Sequence, residues 1–470
     1  MLESLDKLPT DDNLNEIAQN DVLDRNKIIV NFIRLLASIE GHYSIALDAR
    51  WGSGKTFFVK QTERVLRQLF RDKTYYEVEE NPLLCSRFEN LFKMEEIKSH
   101  PMMTLYYDAW QHDNQQDALL SLVFELIKVI PSNDPRLKTE LTKSDNVQKS
   151  IVPIVQGMLD HFTGIDLKSI TRAINDPAGD VLQKIRNQEN LISLLTSFFK
   201  NLLPDDSTRL VIFIDELDRC RPDYAVQMFE RIKHYMQSDQ IIFVFSVNIE
   251  QLQHTIKHYY GDDFEASSYL DRFFDFHVTL PTPSYEQKRK AASWGISGSI
   301  FANWCYFLIE EFKFELREQM HFYEAIEQSI QTHDDSIYSI FSNIEENQKI
   351  AFSFLKSIFV PLGLALRIKN ITDYYSFIDG RNKKTLDVLY NNLDLFSTEM
   401  FYNILDIPKD LNKELTRNKF KENLEKLYDA IFCTIYNHHN KTINVGKFQI
   451  NGQLQQEVLA LLTSLHKKYD

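Results

Sequence analysis

The chain has 470 residues and a formal net charge of −14 at pH 7. This length exceeds what one hydrophobic core usually organises, so we expect two domains. The negative charge argues against a protein that coats nucleic acid or anionic membrane without specificity, because either would be repelled over most of the surface; a local basic patch stays open.

The cysteines and the apolar runs bear on the compartment. Cys85, Cys220, Cys305 and Cys433 are widely separated and form no CxxC pair, which favours a reducing, cytoplasmic environment. The most apolar run, residues 118–130, is shorter than the roughly 20 residues that a membrane span needs, and it contains charged side chains. We therefore expect no membrane span.

A phosphate-binding signature follows the first predicted strand. Residues 43–47 form a short apolar run, 48–56 read DARWGSGKT, and 55–70 have the apolar spacing of a helix. This strand, loop and helix order is that of a P-loop, where backbone N–H groups and a helix N-terminus surround phosphates. The predicted nucleotide-binding residues are Ala49, Trp51, Gly52, Ser53, Gly54, Lys55 and Thr56.

Each residue type in this loop has a chemical reason. Gly52 and Gly54 let the backbone approach the phosphates closely. Lys55 would reach the β and γ phosphates as a point charge, and the Thr56 hydroxyl would ligate Mg²⁺. The usual first glycine is Ala49 here, a small departure that a turn can absorb.

Four more β-rich runs follow, at residues 103–107, 210–214, 241–247 and 276–280, with helical periodicity between them. Five buried strands with crossovers predict an α/β fold, the three-layer parallel sheet of a P-loop NTPase. The roughly 100 residues between the second and third strands exceed what a crossover needs, so we expect a helical insertion at about 131–203.

The third strand ends in the acids Asp215 and Glu216. Ligands bind at the carboxyl ends of parallel strands, so these acids are expected beside the phosphates. Asp215 would hold Mg²⁺ through its water shell, and Glu216 would accept a proton from the water that attacks the γ-phosphate. The structural alternative is two acids that cap a strand end. Asp218 and Arg219 could form a local ion pair or reach the nucleotide.

Two further polar residues follow later strands. Asn248 comes after the fourth strand and could hold the attacking water or sense the γ-phosphate, as could Ser246 near the end of that strand; we favour Asn248, for which a turn-forming Asn is the alternative. Arg272 precedes the fifth strand and could reach the phosphate of a neighbouring subunit. A surface pairing with Asp271 or Asp275 is equally compatible with the sequence.

The strand signal fades after Pro283, and helical patterns such as 304–319 and 421–436 follow. We expect an NTPase domain over residues 1–285 and a helical lid or partner-binding domain over 286–470.

These motifs resemble the KAP family of P-loop NTPases over roughly residues 20–285. Asp108 stands where the family commonly has Asn, and Arg272 stands where it usually has Lys. The features that carry the resemblance are a helix at 21–38, WGSGK at 51–55, YYDAWQHD at 106–113, DELDRC at 215–220 and the acidic-basic run at 269–276.

The resemblance implies ATP as the nucleotide and the additional-strand, catalytic-glutamate class. It also implies a second arginine from a helical lid, for which Arg367 is the candidate and a helix-surface arginine the alternative. Many relatives carry inserted transmembrane helices, whereas those expected here are too polar, which favours a soluble branch. Bacterial relatives often occur in antiphage defence loci, so defence is suggested by analogy alone.

The sequence therefore predicts a Mg²⁺-dependent ATPase whose turnover drives a conformational or assembly change. The partner would be a protein or a second copy, reached through the C-terminal helices; nucleic acid is possible but not indicated by the net charge. A nucleotide-gated scaffold or signalling platform with little turnover is the alternative. A phosphotransferase would need an acceptor pocket, of which the sequence shows no sign.

Overall fold

A computed structural model describes residues 8–21, 23–70, 81–89, 91, 101–115, 118–129, 209–235, 238–284, 287, 300–340, 346–392, 405, 407, 413–433, 443–446 and 448–463. The chain divides into two compact units, Leu8–Thr282 and Pro283–Asp470. The insertion predicted at 131–203 lies outside the described residues.

The first unit contains a five-stranded sheet in the order β2-β3-β4-β1-β5, and every neighbouring pair is parallel. This confirms the predicted α/β class with the P-loop NTPase sheet. The continuous apolar runs of the inner strands are buried because both faces of the sheet are covered there. The prediction that all five strands are buried is wrong for β5, which lies at the edge of the sheet and is largely exposed. The strands are β1 (Tyr43–Asp48), β2 (Met102–Asp108), β3 (Arg209–Asp215), β4 (Ile241–Val247) and β5 (Phe276–Thr279).

Helices cover both faces of this sheet. Val211 and Phe213 of β3 pack into one hydrophobic core, and the alternate Ile212 and Ile214 pack into the other. The helices are α1 (Asp11–Asn20), α2 (Arg25–Ser38), α3 (Lys55–Leu69) and α4 (Pro82–Glu89) on the first face, and α5 (Ala109–His112), α6 (Ala118–Val129), α7 (Pro222–Tyr235), α8 (Ile249–Tyr260) and α9 (Ala266–Leu270) on the second.

The strand ends that matter for function are level with one another. Asp48 of β1 pairs with Val247 of β4, and Asp215 of β3 pairs with Ser246 of β4 and Asp108 of β2. Strand β4 therefore lies between the strand that leads into the glycine loop and the strand that ends in acids. The segments after four strands meet at one edge of the sheet.

The second unit is built from helices around its own core and also contains an antiparallel hairpin. The sequence did not predict the hairpin. Its elements are α10 (Ile300–Glu311), α11 (Leu316–Ile340), α12 (Glu346–Lys369), α13 (Ile371–Ile378), a 3₁₀ turn (Lys383–Leu386), α14 (Asp387–Asn391), α15 (Lys413–Tyr428), a π-helical turn (Asp429–Cys433), β6 (Ile443–Val445), β7 (Phe448–Ile450) and α16 (Gly452–Thr463).

The continuous helix predicted at 304–319 is wrong. Lys313 has φ of 49°, and its N–H donates to the Glu310 carbonyl at 3.1 Å. The Phe314 N–H donates to the Ile309 carbonyl at 3.0 Å. This pair of hydrogen bonds is the Schellman C-cap, which ends α10. Within the described part of the chain, no helix has a stretch that is apolar and long enough to cross a membrane.

Candidate functional site

The glycine loop connects β1 to α3 as the sequence predicted. Gly52 and Gly54 have φ of 78° and 86°, in the left-handed region that glycine adopts without a steric penalty. Ala49 replaces the usual first glycine without disturbing the loop, because its backbone N–H continues the strand pairing and donates to the Val247 carbonyl at 3.2 Å. The loop ends where α3 begins, so the positive end of the helix faces it.

Lys55 is buried inside this loop. Its ammonium donates to the carbonyls of Ala49 at 2.6 Å and Arg50 at 3.3 Å. Burial lowers the pKa of Lys55, while the negative charges of Asp218, Asp215, Glu216 and Asp48 oppose that change, in decreasing order. The cation thus faces carboxylates from the ends of two strands, β1 and β3, where an anionic ligand needs compensating positive charge.

Asp215 ends β3 and is almost fully buried. The Tyr106 hydroxyl donates to Asp215 Oδ2 at 3.1 Å. Burial raises the pKa of Asp215, while the nearby hydroxyls of Ser246, Thr56 and Tyr106 lower it. A hydroxyl and a carboxylate side by side are the hard oxygen ligands that Mg²⁺ takes in proteins, so Thr56 and Asp215 fit this metal.

Glu216 has an unusual backbone and a tightly bound carboxylate. Its φ of 62° places a non-glycine residue in the left-handed region, at a cost of about 1–3 kcal/mol. Thr56 Oγ1 donates to Oε1 at 3.3 Å, and the Arg219 guanidinium forms an ion pair with Oε2. Burial and the neighbouring Asp215 charge raise the pKa of Glu216 to about 7, while Arg219 opposes the change. For Arg219 the sequence allowed either a local ion pair or a contact with the nucleotide. The structure has the local ion pair, and its partner is Glu216.

Asp218 joins the glycine loop to the segment after β4. Its Oδ2 accepts the Trp51 indole N–H at 2.6 Å and the Asn248 backbone N–H at 3.1 Å. Its Oδ1 is buried without a hydrogen-bond partner in the described part of the chain. The Asn248 side chain accepts the Gln251 N–H at 3.3 Å and caps α8, which is the structural alternative for this residue. Contact with the attacking water stays a prediction.

Two exposed tryptophans flank Arg219. The guanidinium lies 5.8 Å from the ring centroid of Trp51 and 5.7 Å from that of Trp110, within cation–π range. Segments after β1, β2 and β3 thus touch one another at the mouth of the site. Trp110 belongs to the YYDAWQHD motif at 106–113, but no pattern in the sequence predicts its contact with Arg219.

The two other predicted arginines take no part in the contacts described above. Arg272 is exposed, and among the described residues its side chain pairs with neither neighbouring acid. Instead, Asp271 lies 3.8 Å from His277 and Asp275 accepts the Ser44 N–H. Arg367 lies near the end of α12 in the second unit, with a buried Nη1 that has no partner among the described atoms. Contact of either arginine with phosphate stays a prediction.

Arg25, the first residue of α2, contacts the glycine loop although no motif in the sequence predicts it. Its guanidinium donates to the carbonyls of Ser53 and Gly54 in the loop. The one sequence signal that could have suggested this role is its position at the start of α2, the helix that precedes β1 and the glycine loop.

A parallel sheet with a glycine loop, a buried lysine and acids at a strand end defines the P-loop NTPase class. The family model described as the KAP family P-loop domain matches residues 25–294, more than half of the chain. The chain belongs to this family, and membership indicates nucleotide binding. A search of curated protein sequences finds no significant match to the chain.

Proposed function

We propose that the protein is a Mg²⁺-dependent ATPase whose turnover drives a conformational change or assembly with a partner. The observation that carries the proposal is that Lys55, Thr56, Asp215 and Glu216 lie together at one sheet edge, within reach of the same glycine loop. ATP rather than GTP rests on the family resemblance.

The residues of the site are suited to different tasks: phosphate binding, metal binding and proton transfer. Lys55 and the N–H groups of the loop would bind and orient the phosphates. Thr56 and Asp215 would hold Mg²⁺, which supplies positive charge to the phosphate oxygens. Glu216 would take a proton from water on Oε1 or Oε2, because its pKa of about 7 makes it a base that is half ionised near neutral pH. Asn248, Arg272 and Arg367 keep their proposed roles as water-holding and charge-stabilising groups.

We also propose a class, a compartment, a partner surface and a biological role for the protein. Strand β4 between β1 and β3, together with Glu216, supports the additional-strand, catalytic-glutamate class. We infer a cytoplasmic protein of the soluble branch, supported by four cysteines that are free thiols. The C-terminal unit is the proposed partner or self-assembly surface. A role in antiphage defence is proposed by analogy with bacterial relatives.

A nucleotide-gated scaffold with little turnover is the second candidate. The bonds from Thr56 and Arg219 to the Glu216 carboxylate favour it, because a base held in this way must be released before it can receive a proton. In that case ATP would bind and persist until a partner displaced Arg219.

Phosphate release from ATP and GTP, measured over a protein concentration series, tests the proposal. We expect ATP turnover in the wild type, loss of nucleotide binding in Lys55→Ala, and ATP binding without cleavage in Glu216→Gln. Unchanged turnover in Glu216→Gln would remove Glu216 as the base. Tight ATP binding without turnover in the wild type would favour the scaffold.

A further inference from the structure

Arg25 contacts the glycine loop from the side of α2. The residue is 7% exposed, Nη1 donates to the Gly54 carbonyl at 3.0 Å, and Nη2 donates to the Ser53 carbonyl at 2.5 Å. Both acceptors belong to the last two residues of the loop. One rigid guanidinium therefore binds two consecutive peptide groups.

These two contacts fix the direction of two N–H groups. A trans peptide is planar, so the carbonyl of one residue and the N–H of the next point in opposite directions. Holding the Ser53 carbonyl directs the Gly54 N–H away from Arg25, and holding the Gly54 carbonyl does the same for the Lys55 N–H. These are N–H groups at the end of the loop and the start of α3, where a P-loop binds phosphate.

Gly54 is needed for this contact as well as for its backbone angle. A Cβ atom at residue 54 would lie 2.8 Å from Arg25 Nη1, closer than such atoms approach in proteins. The glycine therefore leaves space for the guanidinium on one side of the loop. The Gly54 carbonyl also accepts the Phe58 N–H of α3 at 3.1 Å, so without Arg25 the flexible glycines on either side of Ser53 would mainly let the peptide group between Ser53 and Gly54 rotate.

The charge of Arg25 is not neutralised by an acidic side chain within the described part of the chain. Among the described residues, no carboxylate lies within ion-pair distance of the guanidinium, and its Nε is buried without a hydrogen-bond partner. Burial alone lowers the pKa of Arg25 to about 10, so the side chain is still protonated at neutral pH. A buried cation directly behind the loop also favours an anion within it.

We propose that Arg25 is a positioning residue of the nucleotide site, which holds the Ser53 and Gly54 carbonyls so that the Gly54 and Lys55 N–H groups are aligned for phosphate. The proposal rests on the nucleotide binding proposed above. Its specific content is that two carbonyl contacts, and not the charge alone, set the affinity for phosphate.

Titration calorimetry with ADP and Mg²⁺ tests this on the full chain. Arg25→Lys keeps the charge but offers a single ammonium that cannot bind two carbonyls as a planar fork. We expect Arg25→Lys and Arg25→Met to weaken ADP binding by about 10- to 100-fold, the effect of losing alignment in one or two hydrogen bonds to a charged group. Lys27→Met is the matched control, since it removes an exposed cation from the same helix, and its affinity should stay within about twofold of the wild type.

Wild-type affinity in Arg25→Lys, or an equal loss in Lys27→Met, would overturn the proposal. Circular dichroism establishes that each variant is folded; if Arg25→Met is not, Arg25→Lys decides, and unfolding of both would assign Arg25 a purely structural role instead.

Hydrogen exchange of the nucleotide-free protein separates this proposal from the proposed function. In Arg25→Lys, the peptide over residues 48–58 should exchange about 10-fold faster than in the wild type, with exchange elsewhere unchanged. If the wild type binds no ADP, nucleotide binding fails, yet faster exchange in this peptide would still support the positioning role. Unchanged exchange would refute it.

Discussion

Glu216→Gln should stabilise the nucleotide-free protein, and the gain should grow with pH. Burial and the charge of Asp215 raise the pKa of Glu216 from its ordinary 4.5 to about 7. A carboxyl whose pKa is raised by folding contributes stability below about pH 4.5, and that contribution is lost as the pH rises through about 7. Glutamine cannot ionise, so the variant lacks this loss.

The magnitude follows from the two pKa values. The difference between 4.5 and about 7 corresponds to about 3 kcal/mol at ~1.4 kcal/mol per pKa unit. The Glu216 side chain is only 18% exposed, so solvent screening removes little of this. Between about pH 6 and pH 8.5, the unfolding free energy of Glu216→Gln should rise relative to the wild type by about 1.4 kcal/mol, a factor of ten in the unfolding equilibrium.

Urea unfolding followed by far-UV circular dichroism at these two pH values measures the effect. Asp223→Asn is the control, because it removes a carboxylate on α7 that is 51% exposed rather than buried. That variant should show no growth with pH. A stability difference for Glu216→Gln that stays constant within about 0.5 kcal/mol would refute the argument that burial sets the Glu216 pKa.

Three further predictions concern catalysis, the loop and the second unit. If Glu216 is the base, kcat/KM for ATP should rise as the pH increases through about 7 and level off above it; a flat profile would contradict this. A double-mutant cycle of Trp51→Phe with Asp218→Ala, measured by urea unfolding, should give a coupling free energy of about 1–2 kcal/mol, because the indole N–H donates to a buried carboxylate. A coupling below about 0.5 kcal/mol would show that this hydrogen bond does not stabilise the loop. Gly380→Ala should destabilise the protein by about 1–3 kcal/mol more than Gly261→Ala. Both glycines have positive φ, but of the two only Gly380 has neighbouring atoms that a Cβ would meet, the nearest at 2.5 Å. Equal decreases in the thermal unfolding temperature of the two variants would argue against this crowding.

The inner strands β3 and β4 could be predicted because a strand that is covered on both faces is apolar along most of its length. The predicted run 210–214 and β3 (Arg209–Asp215) differ by one residue at each end, and 241–247 coincides with β4. The glycine loop was predictable for a related reason: left-handed backbone angles at Gly52 and Gly54 restrict those positions to few residue types.

The missed features depend on contacts between distant residues or on weak local signals. The contact of Arg25 with Gly54 joins residues 29 apart, and that of Trp51 with Asp218 joins residues 167 apart, so no local pattern reports them. The end of α10 was missed because its left-handed cap is Lys313 rather than glycine. Strands β6 and β7 have three residues each, too few for an alternating pattern.

Two buried side chains of opposite charge contact the glycine loop. One belongs to a residue that precedes the loop in the chain, and the other to a residue that follows it. Arg25, which precedes the loop, binds the carbonyls of Ser53 and Gly54, while Asp218, which follows β3, binds the Trp51 indole. Because both contacts are made by the chain's own residues, we expect them to shape the loop independently of phosphate, so that phosphate binding loses little conformational entropy there. We therefore expect turnover to be controlled at Glu216, whose carboxylate must be released from Thr56 and Arg219 before it can accept a proton, rather than at nucleotide entry.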